Sequence, residues 1–184
     1  MLKLRSPFRL RGASPASSWL PACLLGLVLA AAAPAAHAAA PILLVTDASD
    51  PFTGYAAEIL RAEGFSAFDV ADVTLLDVDL LAPRAVAILG ATALSSAQRT
   101  ALEDWVQGGG RLVALRPDPQ LAPLLGLAPE AGSLADAYLA IDDTTAPGAG
   151  LVAESIQFHG EADLYTATDA TIVATLWSDA TTPT

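Results

Sequence analysis

Reactive side chains are scarce in this sequence. Its 184 residues include one Cys, one Met and two His, and Lys occurs once, at Lys3. Lys3, Cys23 and His37 all fall within the first 38 positions. Any chain that begins after them has no thiol nucleophile and no amine for a Schiff base. It can form no disulfide, so outside a reducing compartment its stability rests on the core alone. With His159 as its single imidazole it cannot build a two-His or three-His zinc centre, nor a cysteine cluster. A metal would have to be a hard cation held by carboxylates and carbonyls, such as calcium or magnesium. The sequence gives no sign of a cofactor.

The first 38 residues have a character of their own. Lys3, Arg5, Arg9 and Arg11 precede an uncharged apolar run from Trp19 to Ala33, and Ala36-His37-Ala38 follows as a small-x-small site. That order reads as a cleaved secretory signal. The run from Leu20 to Ala33 is shorter than the roughly 20 residues of a membrane-spanning helix, and Pro21 and Pro34 bracket it. Cleavage is therefore expected, and a stable membrane anchor is not. Leu20-Pro21-Ala22-Cys23 superficially resembles a lipoprotein box, but the long apolar region follows the Cys instead of preceding it. The expectation is a signal peptide over 1–38 and one domain over 39–184, secreted or periplasmic.

Removing the signal takes four of the nine basic residues and none of the twenty acidic ones, which leaves five arginines and a net charge near −15. Such a surface repels phosphate backbones and anionic lipid, so nucleic acid is not an expected partner. A chain of this remaining length fits one hydrophobic core.

Within it, Pro41 to Thr46 is a continuous apolar run, the mark of a strand covered on both faces of a parallel sheet. Ser49 or Asp50 could cap a helix that begins near Pro51 and stops at Gly64. A second strand is predicted over 65–70, a poorly defined segment over 73–81, and a third strand over 84–90. Ser95 stands three residues before Gln98, a capping-box spacing, and opens a helix that reaches the triple glycine at 108–110. A fourth strand, 111–115, follows. The glycine run ends a helix and precedes a strand, the reverse of a phosphate loop, which argues against a nucleotide site. Trp105 shares helical spacing with Leu102 and Val106 and reads as core. Later come a short helix near 120–125 and possible strands at 138–141, 154–159 and 171–177. The loop-like run Ser178 to Pro183 just before Thr184 reads as a truncated reading frame or the front part of a longer protein with further domains. Strand-helix-strand repetition predicts a three-layer α/β/α sandwich with a mostly parallel sheet and with C-terminal strands incomplete.

The pattern Ile42-Leu43-Leu44-Val45-Thr46-Asp47, then Leu94 through Leu115 with its capped helix and glycine turn, resembles the class I glutamine amidotransferase-like superfamily, in particular its trehalose-utilisation-like branch. Phe158-His159-Gly160-Glu161-Ala162-Asp163-Leu164-Tyr165 is similar, more loosely, to a segment of that branch ending in an acidic-x-Tyr. The resemblance implies a flavodoxin-like fold with the nucleophile on a sharp turn after the strand ending near Leu115. Here that turn is Arg116-Pro117-Asp118-Pro119, without Cys or Ser, and no Gly-x-Cys-x-Gly or Gly-x-Ser-x-Gly elbow occurs in the chain after residue 38. What the resemblance implies is a non-catalytic module joined to surface or carbohydrate-related domains.

In open parallel sheets the ligand crevice lies beyond the C-terminal strand ends, where the topology reverses. Asp47, Ser49 and Asp50 follow the first strand, Gly90, Ala91 and Thr92 the third, and Arg116 and Asp118 the fourth. Asp47, Ser49, Thr92, Arg116 and Asp118 are thus candidates to bind a carbohydrate, a carboxylate or another small molecule. The structural alternative is that Asp47 and Asp50 cap a helix and Arg116 pairs with Asp118. His159 is the one side chain whose ordinary titration range suits a general base near neutral pH. If 158–165 were extended, His159, Glu161, Asp163 and Tyr165 would share a face. A hydrolase using His159 with Asp163 or Glu161, and Ser95 or Ser49 as nucleophile, is the rival to a solvated, non-catalytic face. Mass spectrometry of the exported product should find Ala39 at its N-terminus; retention of Met1 there would refute a cleaved signal.

Overall fold

The computed structural model describes residues 39–181, so the expected signal segment lies outside them. Four parallel strands form the main sheet: β1 (Ile42–Thr46), β2 (Phe68–Asp72), β3 (Val86–Leu89) and β4 (Arg111–Ala114), in the order β2-β1-β3-β4. From β1 the chain first steps outward to β2, then crosses back to β3 on the other side. This reversal makes the fold a doubly wound, flavodoxin-like α/β domain. Leu43, Leu44 and Val45 are buried, as a strand with neighbours on both sides and both faces requires.

Alternation along the strands sorts the core. Leu43 and Val45 of β1 and Ala87 and Leu89 of β3 point to the face that carries α2 (Val78–Leu81) and α3 (Ser96–Gln107), where they pack with Leu81, Ala101, Leu102 and Leu121. Trp105 packs against the same cluster, as its spacing predicts. Leu44 points the other way, toward α1 (Phe52–Ala62). On this second face Val70, Leu44, Ile88 and Val113 form one row across the sheet. The row is sealed at Leu44 but is 48% exposed at Val70 and 47% at Val113. Tyr55 and Ile59 of α1 and Leu115 beyond β4 are also exposed.

Local signals account for the helix ends. Both bonds of the Ser95–Gln98 capping box are present at the start of α3. At its end, Gly109 adopts φ +102° and the N–H groups of Gly109 and Gly110 return to the carbonyls of Val106 and Trp105, a Schellman stop. The same motif at Gly64 closes α1, with Phe65 N–H bonded to Leu60 O. That turn carries Phe65 out of the sheet, so β2 begins three residues later than the predicted strand. The N-cap of α1 is Pro51, not Ser49 or Asp50, although Asp50 Oδ1 still accepts the Phe52 N–H at 3.0 Å.

After β4 the chain forms a 3-10 turn (Pro119–Leu121) where a short helix was expected, and then two small antiparallel sheets. β5 (Ser133–Ala135) pairs with β8 (Glu161–Asp163), while β6 (Tyr138–Ile141) lies between β7 (Ile156–Gln157) and β9 (Ala174–Trp177). β7 and β9 are shorter than the predicted runs. Gly160, at φ +95°, separates His159 from β8, so 158–165 is not one extended segment.

Gly90 ends β3 directly under α1, and a Cβ there would overlap Thr53 Cγ2. Thr53 is buried, and its Oγ1 donates to Asp50 O at 2.8 Å, which leaves the methyl no room to swing aside. Gly90→Ala should lower stability by about 1–3 kcal/mol, read from the denaturant midpoint at unchanged slope. Adding Thr53→Ser, which removes the methyl, should recover much of the loss; simple additivity of the two changes would exclude this contact as the cause.

Candidate functional site

The C-terminal ends of β1, β3 and β4 open onto a cleft of about 590 Å³ lined by Asp50, Phe52, Thr53, Gly90, Ala91, Leu115, Arg116, His159, Gly160 and Glu161. It lies at the reversal of the strand order, between β1 and β3, where the geometry of open sheets places ligands. Asp50, Gly90, Ala91 and Arg116 meet there as the order of strands and turns anticipates. The approach of His159, Gly160 and Glu161 from the C-terminal region has no counterpart in any local sequence signal.

Arg116 dominates the site. It holds φ +48°, the left-handed region that a non-glycine residue rarely occupies, on the turn directly after β4. Its Nε donates to Asp163 Oδ2 at 3.0 Å and one terminal nitrogen to Asp163 Oδ1 at 2.5 Å, a bidentate pair. The expected alternative partner, Asp118, is not used. The same terminal nitrogen lies 4.0 Å from Glu161 Oε2. The side chain of Asp163 is 9% exposed and that of Arg116 is 52% exposed, so the pair is sealed on the carboxylate side and open on the guanidinium side. The Arg116 hydrogen bond, outweighing burial, holds the Asp163 carboxyl below the usual carboxylate range, and the same bond raises the pKa of Arg116. Tyr165 donates its hydroxyl to Asp163 Oδ2 at 3.4 Å; burial, then the adjacent carboxylate, pushes its phenol up. Arg116 also walls off a second cavity of about 450 Å³ that includes Pro117, Leu125, Asp163 and Tyr165.

The other candidates are held differently. Asp47 Oδ1 accepts both the N–H (2.8 Å) and the hydroxyl (2.6 Å) of Ser49, and Oδ2 accepts the Thr92 hydroxyl at 2.6 Å. The Ser49 hydroxyl and then Thr92 lower the Asp47 pKa. Asp47, Ser49 and Thr92 therefore satisfy one another beside the cleft and tie the ends of β1 and β3 together. Asp118 is buried; burial alone would raise its pKa, but the N–H groups of Leu94 and Gln120, each at 2.8 Å, outweigh that and lower it. His159 is 83% exposed, with Nδ1 3.5 Å from Asp136 Oδ1. The imidazole thus faces Asp136, while Asp163 is occupied by Arg116.

Sequence reasoning missed Phe52, Thr53, Leu115 and Gly160 as lining residues. The first three follow from positions flanking β1 and β4 on the open side of the sheet; Gly160 had no usable signal. Among the described residues no group of three or more His, Cys, Asp or Glu is placed to hold a metal ion, and no helix is long and apolar enough to cross a membrane.

No family model and no curated protein matches the chain. Among solved structures, the chain is similar to a thua-like protein from Bacteroides uniformis ATCC 8492, with a TM-score of 0.53 at 17% identity over 83% of this chain and 77% of that one. The fold is shared. The likeness is one of fold alone, a flavodoxin-like α/β architecture.

Because the pKa of Asp163 is lower folded than unfolded, its pair with Arg116 contributes fully above about pH 4 and fades as pH falls through the lowered value. Asp163→Asn should lose about 1 kcal/mol at neutral pH, a figure kept small by the half-exposed Arg116. It should also flatten the acid limb of a stability-against-pH curve. Identical acid limbs for both proteins would show that the pair carries no pH-linked stability.

Proposed function

We propose that this chain is an exported, non-catalytic binding module of amidotransferase-like fold, part of a carbohydrate-related or cell-surface protein, whose switch-point cleft holds a small polar ligand such as a sugar. The observation that carries the reading is the residue on the turn after β4. In strand-turn-helix elbows the strained position presents a nucleophile. Here it presents a guanidinium gripped in two places by Asp163, and a guanidinium has no basic lone pair with which to attack.

The hydroxyls that a hydrolase would need are engaged in turn formation: Ser49 donates to Asp47, and Ser95 caps α3. His159 stands exposed beside Asp136, away from both serines' capping roles. The cleft does offer what a polyhydroxylated ligand uses. Asp50 and Glu161 can accept hydroxyl hydrogen bonds, Arg116 can donate, and Phe52 and Leu115 supply apolar surface for C–H faces. The basic, apolar, small-x-small order of residues 1–38 supports export.

Ammonia release from glutamine and hydrolysis of simple esters should match buffer blanks, and His159→Ala should change neither. Saturable turnover abolished by His159→Ala would replace the binding module with the hydrolase.

A further inference from the structure

We infer that β4 is a self-recognition edge: two copies of this chain pair their β4 strands antiparallel about a two-fold axis and join their parallel sheets into one. The strand order leaves β2 and β4 at the two edges of the main sheet. The two edges are protected unequally. β2 carries Asp69 and Asp72, and carboxylates on an edge discourage pairing with a like copy. β4 has no carboxylate, no proline and no bulge in its register with β3, and its one charge, Arg111, stands at its first position. The N–H of Arg111 bonds Ala85 O and that of Leu115 bonds Leu89 O. Residues 111, 113 and 115 therefore turn their main-chain groups to β3, while those of Leu112 and Ala114 face away from it.

That spacing is self-complementary. When Leu112 of one copy stands opposite Ala114 of the other, each such pair exchanges both of its N–H···O bonds, and Val113 meets its own counterpart in a pair without hydrogen bonds, where side chains come closest. The half-exposed Val113 is thereby covered. Beside Ala114 the cavity shared with Arg116 and Tyr165 leaves that end of the edge open, and the residues of the second copy that pass it are Gly108-Gly109-Gly110, which bring only main chain. The charges select a second copy as the occupant. Among the described residues Arg84, Arg99 and Arg116 hold carboxylates and Arg61 lies over the Phe68 ring, whereas the exposed Arg111 forms no ion pair or ring contact. The register sets Arg111 against Leu115 of the second copy, and Leu115 lines the cleft rim with Glu161. Glu161 accepts a neutral hydroxyl from Ser133 and lies 4.0 Å from the already paired Arg116. Two-fold symmetry makes this match of Arg111 with Glu161 twice. So short an edge supports a weak, reversible dimer, and the pairing is independent of what the cleft holds.

Sedimentation velocity of the purified protein over about a hundredfold range of concentration should pass from monomer to dimer. In a Cys23→Ser background, Val113→Cys should then cross-link into a covalent dimer under mild oxidation, because directly opposed residues of a pair without hydrogen bonds lie within disulfide reach. Val70→Cys, equally exposed on the other edge, should stay monomeric on the same gel. Val113→Lys opposes like charges and should abolish the dimer. Arg111→Ala removes one exposed ion pair from each half and should weaken association roughly tenfold. Monomer at every concentration would overturn the inference and leave the edge to a strand of another chain. Cross-linking at Val70 as readily as at Val113, or a dimer that survives Val113→Lys, would place the contact elsewhere and overturn it too. A dimer indifferent to Arg111→Ala would overturn the register.

Discussion

The bidentate bond between Arg116 and Asp163 fastens the turn after the parallel sheet to the C-terminal region, beside the backbone bonds that run between 126–132 and 164–169. One partner sits on the turn after the last strand of the parallel sheet; the other, 47 residues later, sits in a three-residue strand of a two-stranded sheet. Short strands of that kind have little stability of their own. A charge-assisted pair with the carboxylate sealed and the guanidinium half open anchors β8 at the mouth of the main sheet. His159, Gly160 and Glu161 reach the cleft on this strand, which β5 and the Asp136 turn also hold. The left-handed backbone at Arg116 is the local cost, and it aims the side chain at Asp163 instead of along the strand.

Legibility followed the range of the interactions involved. β1 was readable because a strand covered on both faces must be apolar throughout, β3 and β4 because each carries a short apolar run although β4 is an edge strand open at Val113, and α3 because its cap is a four-residue motif whose two hydrogen bonds form as spaced. β2 was misplaced: it is an edge strand carrying Asp69 and Asp72, so it lacks the apolar run that marks its neighbours. In the C-terminal third, strands of two to four residues pair across gaps such as Ser133 to Asp163, too short for any period to show. The strand-end turns of the candidate site could be named in advance from the topology rule. Arg116's true partner could not, since Asp118 is nearer in sequence and its carboxylate is consumed by amide N–H groups of Leu94 and Gln120.

Much of the acidity turns out to be architectural. Asp47, Asp72, Asp142 and Asp179 each accept both the backbone N–H and the hydroxyl of the Ser or Thr two residues on. This clasp pre-forms a tight loop, and at Asp47 and Asp72 the hydroxyl and N–H bonds lower the carboxyl's pKa. Asp69 plays a longer-range part, taking the Arg84 guanidinium and the Ala40 N–H where β1 begins. A composition that reads as a generic acidic coat is thus in part a set of loop locks, with Asp50 and Glu161 set apart from them at the cleft.

The half-covered row Val70–Leu44–Ile88–Val113 gives that acidity a further role. Two molecules approaching through the exposed ends of that row, Val70 or Val113, would each gain by hiding apolar area, while their like charge opposes the approach. Charge acts across water only over a screening distance of about 8 Å at physiological ionic strength, whereas the attraction between apolar strips is not weakened by salt. Added salt thus weakens the repulsion while leaving the apolar exposure at Val70 and Val113 as it is.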